Sequence, residues 1–575
     1  MTRGDASLAL QPMSQAEGRA WHARAGTRAS SPAWNPHHAA FVLALLLVVF
    51  ANVSFWQGLW RALGPSELSH APLLLSVAVA LTALFWMILC LSAWRALTKP
   101  AWIALAILAA SAAYFMDSYG LVVDRVAIQS VVETDPREAA EWFSWRMLPY
   151  LLSAGVAALW VSRLRLEFGS WRRDLGAKLG VIAITVALIA TLVFLDFARL
   201  SSIARNHREL QHQINPTTVL QSTYGYVRRL VAPRPTRVAA VHTDAHLGPT
   251  WQPGARPRVL VLVIGESARA SSFSVLGYAR ETNPRLAAEA TFNFGQVASC
   301  GTSTAVSLPC MFTDLGQANY SDFKARGRES LLDVIGRAGL HSLWVDNNTG
   351  SKNVASRTGQ ESVADAADPE FCNAIGCFDD ILVKRLRELL SASQLPTVIV
   401  LHQKGSHGPS YFERYPVAFR RFTPTCDSNQ LDDCTRLEIV NTYDNSILYT
   451  DHNLVEVIAA LREREADLDS AMLYLSDHGE STGENGMFLH GAPLFMAPEE
   501  QTRVPLILWF SEGWSRRFGV DRDCVAALTD NNYSHDDLFH SVLGLIDVQM
   551  RGYRPERDIL FSCRTRGQDL AQARG

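Results

Sequence analysis

The chain has 575 residues, beyond the size at which one hydrophobic core usually stops growing, so at least two folding units are expected. Its 53 basic and 56 acidic side chains give a formal net charge of -3. No dense basic face is available to release counterions from phosphate backbones, which excludes a nucleic-acid partner.

In chain order, five apolar stretches come first, at about 39–60, 72–94, 100–117, 148–166 and 179–198. Each approaches the roughly 20 helical residues that cross a hydrocarbon core. A cleaved signal peptide fits poorly, because the first run starts near residue 39 without a convincing cleavage site. The segments before residue 39, at 95–99 and at 163–178 carry 4, 2 and 5 Lys or Arg, while those at 61–71 and 118–146 carry 1 and 3. Cytoplasmic segments retain positive charge, so the N-terminus is expected inside and everything after residue 198 outside. The 118–146 segment includes Asp124, Glu133, Asp135, Glu138 and Glu141, an acidic stretch that suits a lipid head group bearing an amine.

Residues 199–257 mix basic, polar and Pro-rich stretches. Asn215-Pro216 reads as a helix start with Pro at the first helical position. Leu220, Tyr224, Val227 and Val231 then share a face bordered by Arg228 and Arg229, as in a helix lying on a bilayer or one packed on a domain.

From Arg258 onward apolar β-rich runs alternate with helical segments, the pattern of an α/β sheet covered by helices. The clearest strands are 259–264, 341–345, 397–402, 471–476 and 504–510. Ligand groups collect beyond the carboxyl ends of such strands, which singles out Glu266 after VLVLVIG and Asp477-His478 after AMLYLS. Between them lies the hydroxyl-rich CGTSTAVSLPC, with Thr302, Ser303 and Thr304. Two carboxylates, an imidazole and a hydroxyl make a four-ligand set for zinc. Zinc lowers the pKa of a bound hydroxyl and so turns it into a nucleophile near neutral pH.

Only Cys90 of the nine cysteines falls in the apolar half. The close couples Cys300 with Cys310, Cys372 with Cys377, and Cys426 with Cys434 suit disulfides in an oxidising compartment, agreeing with the charge-based orientation. Cys524 and Cys563 are left as a candidate fourth pair.

The stretches GESAR, SCGTSTAVSLPCMF, DNNTGSK, LHQKGSHGP, SDHGES, FLHGAP and SHDDLFHSVLGL resemble the phosphoethanolamine transferase family, membrane enzymes that modify lipid A and include the mobile colistin-resistance enzymes. The resemblance implies a five-helix transmembrane domain joined to an α/β domain of the alkaline-phosphatase and sulfatase type, with helices on both faces of a mixed sheet. It assigns a tight zinc site to Glu266, Thr304, Asp477 and His478, with Thr304 as the nucleophile. A second polar cluster, which holds the substrate phosphate or a further zinc, maps to Asn348, Lys352, His407 and His490. In the acidic segment Glu138 is retained, but Ser130 stands where the family usually has Asn.

The implied reaction moves phosphoethanolamine from phosphatidylethanolamine to lipid A or a related glycolipid through a covalent threonine intermediate. Less negative surface charge and polymyxin resistance would follow. A phosphoglycerol transferase or a phosphodiesterase of the same superfamily is the alternative; the C/S-x-P-x-R loop of sulfatases does not precede the Asp-His pair. The expected organisation is a cytoplasmic tail (1–38), a transmembrane domain (39–198), a linker with an interfacial helix (199–257) and a periplasmic catalytic domain (258–575), held in a bacterial inner membrane.

Overall fold

The computed structural model describes residues 33–64, 70–133, 142, 144–231, 237–252, 254–366, 368–373, 376–392, 395 and 397–564. The amino-terminal part is helical: α1 (Pro36–Phe50), α2 (Val53–Leu63), α3 (Ala71–Leu91), α4 (Thr98–Tyr119), α5 (Arg125–Glu133), α6 (Leu148–Arg163) and α7 (Trp171–Leu195). Pro sits in the first turn of α1, α3 and α6, where its missing N–H is no loss. Among the described residues, α3, α4 and α7 are long and apolar enough to cross a membrane, and α1 with α2 makes a fourth span if that pair, bent by 59°, counts as one. The expected span at 148–166 forms a helix of 16 residues, about 24 Å long against a hydrocarbon core of about 30 Å.

The bend between α1 and α2 frees backbone carbonyls that a membrane could not satisfy. The buried pair Asn52 and Asn215 satisfies them. Asn52 Nδ2 donates to Leu47 O at 2.9 Å and to Asn215 O at 2.6 Å, and Asn215 N donates back to Asn52 Oδ1 at 2.9 Å. Asn215 Nδ2 reaches Ala51 O at 3.2 Å and Ala109 O at 2.7 Å, which ties the linker to α4. The linker helix α8 (Thr217–Val231) therefore starts after Pro216, not on it. It packs against α5, burying Val219 and Tyr226, while Leu220, Tyr224, Val227 and Val231 are exposed together.

The carboxy-terminal part is built on eight strands: β1 (Arg258–Gly265), β2 (Phe292–Ala298), β3 (Ser342–Asp346), β4 (Gly359–Ser362), β5 (Val398–His402), β6 (Asp469–Ser476), β7 (Arg503–Phe510) and β8 (Tyr533–Ser534). Their order is β8-β2-β7-β6-β1-β5-β3-β4. β1 is parallel to β5 and β6, β7 runs antiparallel to β6 and β2, and the sheet is mixed.

Both faces are covered. Leu260, Leu262 and Ile264 join one core with α9 (Thr304–Met311), α11 (Leu331–Arg337) and α14 (Leu538–Leu545). Val259, Val261 and Val263 join the other with α12 (Asp380–Leu390) and the long α13 (Arg436–Arg462). Alternate residues of one strand thus feed two layers, as the pleat requires. A short helix, α10 (Asp322–Arg326), lies between α9 and α11 in the chain.

Tyr114 and Tyr119 of α4 enter the second of these cores, and Tyr114 Oη donates to Gln430 Oε1 at 3.2 Å. Gly120 caps α4 with φ +65°, and a Cβ there would lie 2.8 Å from Gly486 O of the hairpin 481–489. Only glycine meets both demands without strain. The end of a membrane-type helix is thereby seated against the hairpin that leads into His490.

Candidate active site

β1 ends at Gly265, and the next residues turn sharply, with Ser267 at φ +55°. That left-handed turn lets Ser267 Oγ donate to Glu266 Oε1 at 2.8 Å while Ser267 N reaches Asp477 Oδ1 at 3.3 Å. Strain in a non-glycine residue survives where its surroundings over-determine it. Asp477 and His478 follow β6, the neighbouring parallel strand, so both acids emerge at one sheet edge. On the other side of β1, Gly405 adopts φ +56° with no room for a Cβ, which would meet Glu266 O at 2.6 Å.

Thr304 is the first residue of α9, and the Cys300–Cys310 disulfide closes the loop that presents it. Thr302 Oγ1 is turned away, donating to Ala492 O at 2.7 Å. Thr304 Oγ1 instead donates to Glu266 Oε2 at 2.9 Å and lies 3.4 Å from His478 Nε2. His478 Nε2 is 3.2 Å from Glu266 Oε1 and 3.3 Å from Asp477 Oδ2. All three acidic and imidazole side chains are fully buried.

Burial drives both carboxyls upward. At Glu266 the hydrogen bond and charge of His478, with His407 and His490 behind it, outweigh burial and hold the group well below the usual range. At Asp477 burial and the adjacent Glu266 charge prevail, taking it to about 6. Burial would depress His478, but Asp477 and Glu266 lift it to about 10. The cluster thus calls for positive charge at the point where these groups converge. Apart from the His478 ring at 3.3 Å, buried Asp477 Oδ2 has no polar partner among the described residues and no hydrogen bond, which is costly unless something else binds it. Glu266, Asp477 and His478 offer ligand atoms within 4.8 Å of one another, and the mixed oxygen and nitrogen set fits zinc.

Asn348 joins this group, donating Nδ2 to Glu266 Oε2 at 3.0 Å and to Gln403 O at 2.9 Å. The His490 ring lies tilted at 4.4 Å from His478 and 5.1 Å from His407 between centroids. His407 is depressed to about 4 by burial, so it stands neutral near pH 7. Lys352, at φ +46°, donates Nζ to Thr349 O at 3.1 Å and faces a cavity beside Ala305. Ser130 lies on α5, which touches α9; Glu138 lies outside the described residues. Four disulfides form in the described residues: the three expected couples and Cys524–Cys563, with Cys90 free and buried.

The Sulfatase family model matches residues 258–548, and the model for phosphoethanolamine transferase EptA/EptB matches residues 81–231. EptA of Escherichia coli K12 is 37% identical over 533 residues, covering 92% of this chain and 96% of that protein. The phosphatidylethanolamine transferase Mcr-1 of Escherichia coli is 34% identical over 520 residues, covering 88% of this chain and 94% of that protein. The integral membrane protein lipooligosaccharide phosphoethanolamine transferase A from Neisseria meningitidis superposes with a TM-score of 0.89 at 32% identity, covering 93% of this chain and 100% of that structure. The chain belongs to the phosphoethanolamine transferase family.

Three features of this transferase escaped sequence reasoning. Glu480 accepts from Tyr411 Oη at 2.6 Å and holds His490 Nδ1 at 2.7 Å; it stands two residues after His478 in DHGE, and that position was its only signal. His402 ends β5 and pairs its Nδ1 with Asp346 Oδ1, the end of β3, at 2.6 Å. His535 of the SHDDLFH stretch accepts from Cys300 N at Nδ1, 3.1 Å, and donates from Nε2 to Ser476 O at 3.0 Å. It therefore bridges the loop bearing Thr304 and the strand bearing Asp477.

Proposed function

We propose that the chain transfers phosphoethanolamine from phosphatidylethanolamine to lipid A or a related lipopolysaccharide acceptor by double displacement at Thr304. The observation that carries this reading is the Thr304 hydroxyl, 2.9 Å from Glu266 Oε2 and facing His478 among buried acids. Glu266, Thr304, Asp477 and His478 would hold one zinc ion, which when bound stabilises the threonine alkoxide. Thr304 Oγ forms a bond to the donor phosphorus as the bond to the diacylglycerol oxygen breaks and that oxygen takes up a proton. A phosphate or hydroxyl oxygen of the acceptor then displaces Thr304, which regains its proton. His407, held neutral by burial, would hold the phosphate oxygens with His490 and Asn348 as charge redistributes. Ser130 and Glu138 would meet the donor head group.

The reading extends to topology. The amino-terminal tail (1–38) lies in the cytoplasm, five spans cross the inner membrane over 39–198, the linker (199–257) lays α8 on the bilayer surface and the domain 258–575 is periplasmic. Basic segments at 95–99 and 163–178 and the disulfides after residue 298 support this orientation. Reduced surface charge and polymyxin resistance are the expected cellular outcome.

Mass spectra of lipid A from cells with and without the protein test the transfer. Added phosphoethanolamine that disappears with Thr304→Ala is expected; full modification by that variant would overturn the assignment. Purified protein should hold about one zinc per chain, with most of it lost in Asp477→Asn.

A further inference from the structure

We propose that a small basic cavity on the flank of α9 seats an anionic group of the acceptor, a phosphate on a sugar head, away from the phosphorus that Thr304 attacks. This rests on the transfer reading above. The cavity has a volume of about 230 Å³, and its wall includes Ala305 and Pro309 of α9 with Arg326, Arg328, Lys352 and Arg357. Ala305 and Pro309 are four apart and share a helix face, so the cavity runs along α9 beside Thr304. Glu266, His407, His478 and His490 are not among the described residues on its wall. It is distinct from the candidate metal cluster and adjacent to it.

The charges there are built in. Arg328 donates Nε and Nη2 to Asp314, each at 2.6 Å, and Arg357 donates Nε at 3.0 Å and Nη2 at 2.6 Å to Asp333. Forked pairing from behind fixes each guanidinium plane in advance of a ligand. Arg229 pairs with Asp322, the carboxylate on the cavity wall, at 2.5 Å. Arg229, Arg326, Arg328, Lys352 and Arg357 thus meet Asp314, Asp322 and Asp333. The surplus is two positive charges, which matches one phosphate monoester at about -2.

Size and surroundings narrow the ligand. The cavity is smaller than the roughly 300–1,000 Å³ clefts that enclose a whole small molecule, and so it suits one head-group moiety. The wall residues Gln129 and Asp322 belong to α5 and α10, and these same helices expose Val131 (70%), Val132 (58%) and Phe323 (57%). A cationic recess carried on helices that turn apolar side chains outward fits an amphiphile with its phosphate inward and its acyl region outward. An anchor remote from the reacting atoms contributes uniform binding, and its loss raises KM with little change in kcat.

The test is binding to full-length Thr304→Ala protein in phosphatidylcholine nanodiscs, titrated with a diphosphorylated glycolipid and with its dephosphorylated counterpart. Arg328 neutralises a buried acid, so Arg328→Gln is made together with Asp314→Asn and combined with Arg357→Gln. Arg357→Lys is the charge-retaining comparison, and melting curves verify folding. About tenfold weaker binding of the phosphorylated glycolipid alone is expected, with most affinity kept by Arg357→Lys. Equal affinity of variant and parent overturns the proposal, as does a loss confined to nanodiscs doped with phosphatidylethanolamine, which would make the cavity a donor port. The Thr304→Ala protein performs no transfer, so this result stands whatever becomes of the reaction. Absence of labelled Thr304 in the unsubstituted protein would defeat the transfer reading and leave the cavity intact.

Discussion

Strand β1 and helix α7 are both apolar runs, yet they meet opposite surroundings. All eight residues of β1 are buried, whereas α7 turns Ile184, Val186 and Phe194 outward, the last 82% exposed. Hydropathy therefore does not report burial within the protein. For β1 the apolar medium is the protein itself, on both faces of a sheet; for α7 it is a lipid phase, where helices associate without a hydrophobic drive. The chemistry collects where the first kind of run ends, because polar groups at a buried strand terminus are held in low dielectric by fixed partners.

The sharpest separation of the two regions comes from Thr304→Ala. Transfer of labelled head group should fall by roughly a thousandfold or more while the melting temperature barely moves, since one half-buried hydroxyl at the mouth of the site carries chemistry and little packing.

Next in size is a pair of charges. Val261→Asp, in the core of β1, should cost about 3–5 kcal/mol and unfold the catalytic domain in any detergent. Val186→Asp should cost about 2.5–3.5 kcal/mol only on membrane insertion, read by an integration assay. If Val186→Asp inserts as well as the parent, α7 does not face lipid and the contrast collapses.

The seam between the regions is probed by Gly120→Val. A β-branched residue at φ +65°, with its Cβ 2.8 Å from Gly486 O, should cost about 1–3 kcal/mol. Transfer should drop several-fold and zinc content stay unchanged, because the hairpin leads into His490 and not into the proposed metal ligands.

The remaining effect concerns acid. Burial depresses His535 from 6.5 to about 4. Between those values the unfolded chain binds a proton that the folded chain refuses, so stability falls as pH drops through this window, by up to about 1.4 kcal/mol per unit. Gln can copy both hydrogen bonds without titrating. His535→Gln should flatten the dependence of the melting temperature on pH from 6.5 down to 4, and an unchanged slope would remove His535 from the account.

Much of this was legible along the chain. The runs 259–264, 397–402 and 471–476 announce strands because a parallel strand buried on both faces must be continuously apolar. Glu266 and Asp477-His478 stand out because they interrupt such runs at their carboxyl ends. β2, β4 and β8 were missed, since FNFGQVA carries Asn, Gly and Gln, and the other two are short strands at opposite edges of the sheet. The span expected at 148–166 folded as a helix of 16 residues, shorter than α3, α4 and α7.

Local composition alone determined the division into a lipid-type helical half and an α/β half, because periodicity and hydropathy act over a few turns or strands. Only the tertiary structure decided that Asn52 and Asn215 close the bend at α1 and α2 and that His535 ties the Thr304 loop to the end of β6, and it turned Thr304, not Thr302, toward Glu266, a choice that residue chemistry without the family resemblance left open. Those contacts join residues 38 to 235 positions apart. Their partners are chosen by strand order and loop closure, which no local pattern encodes.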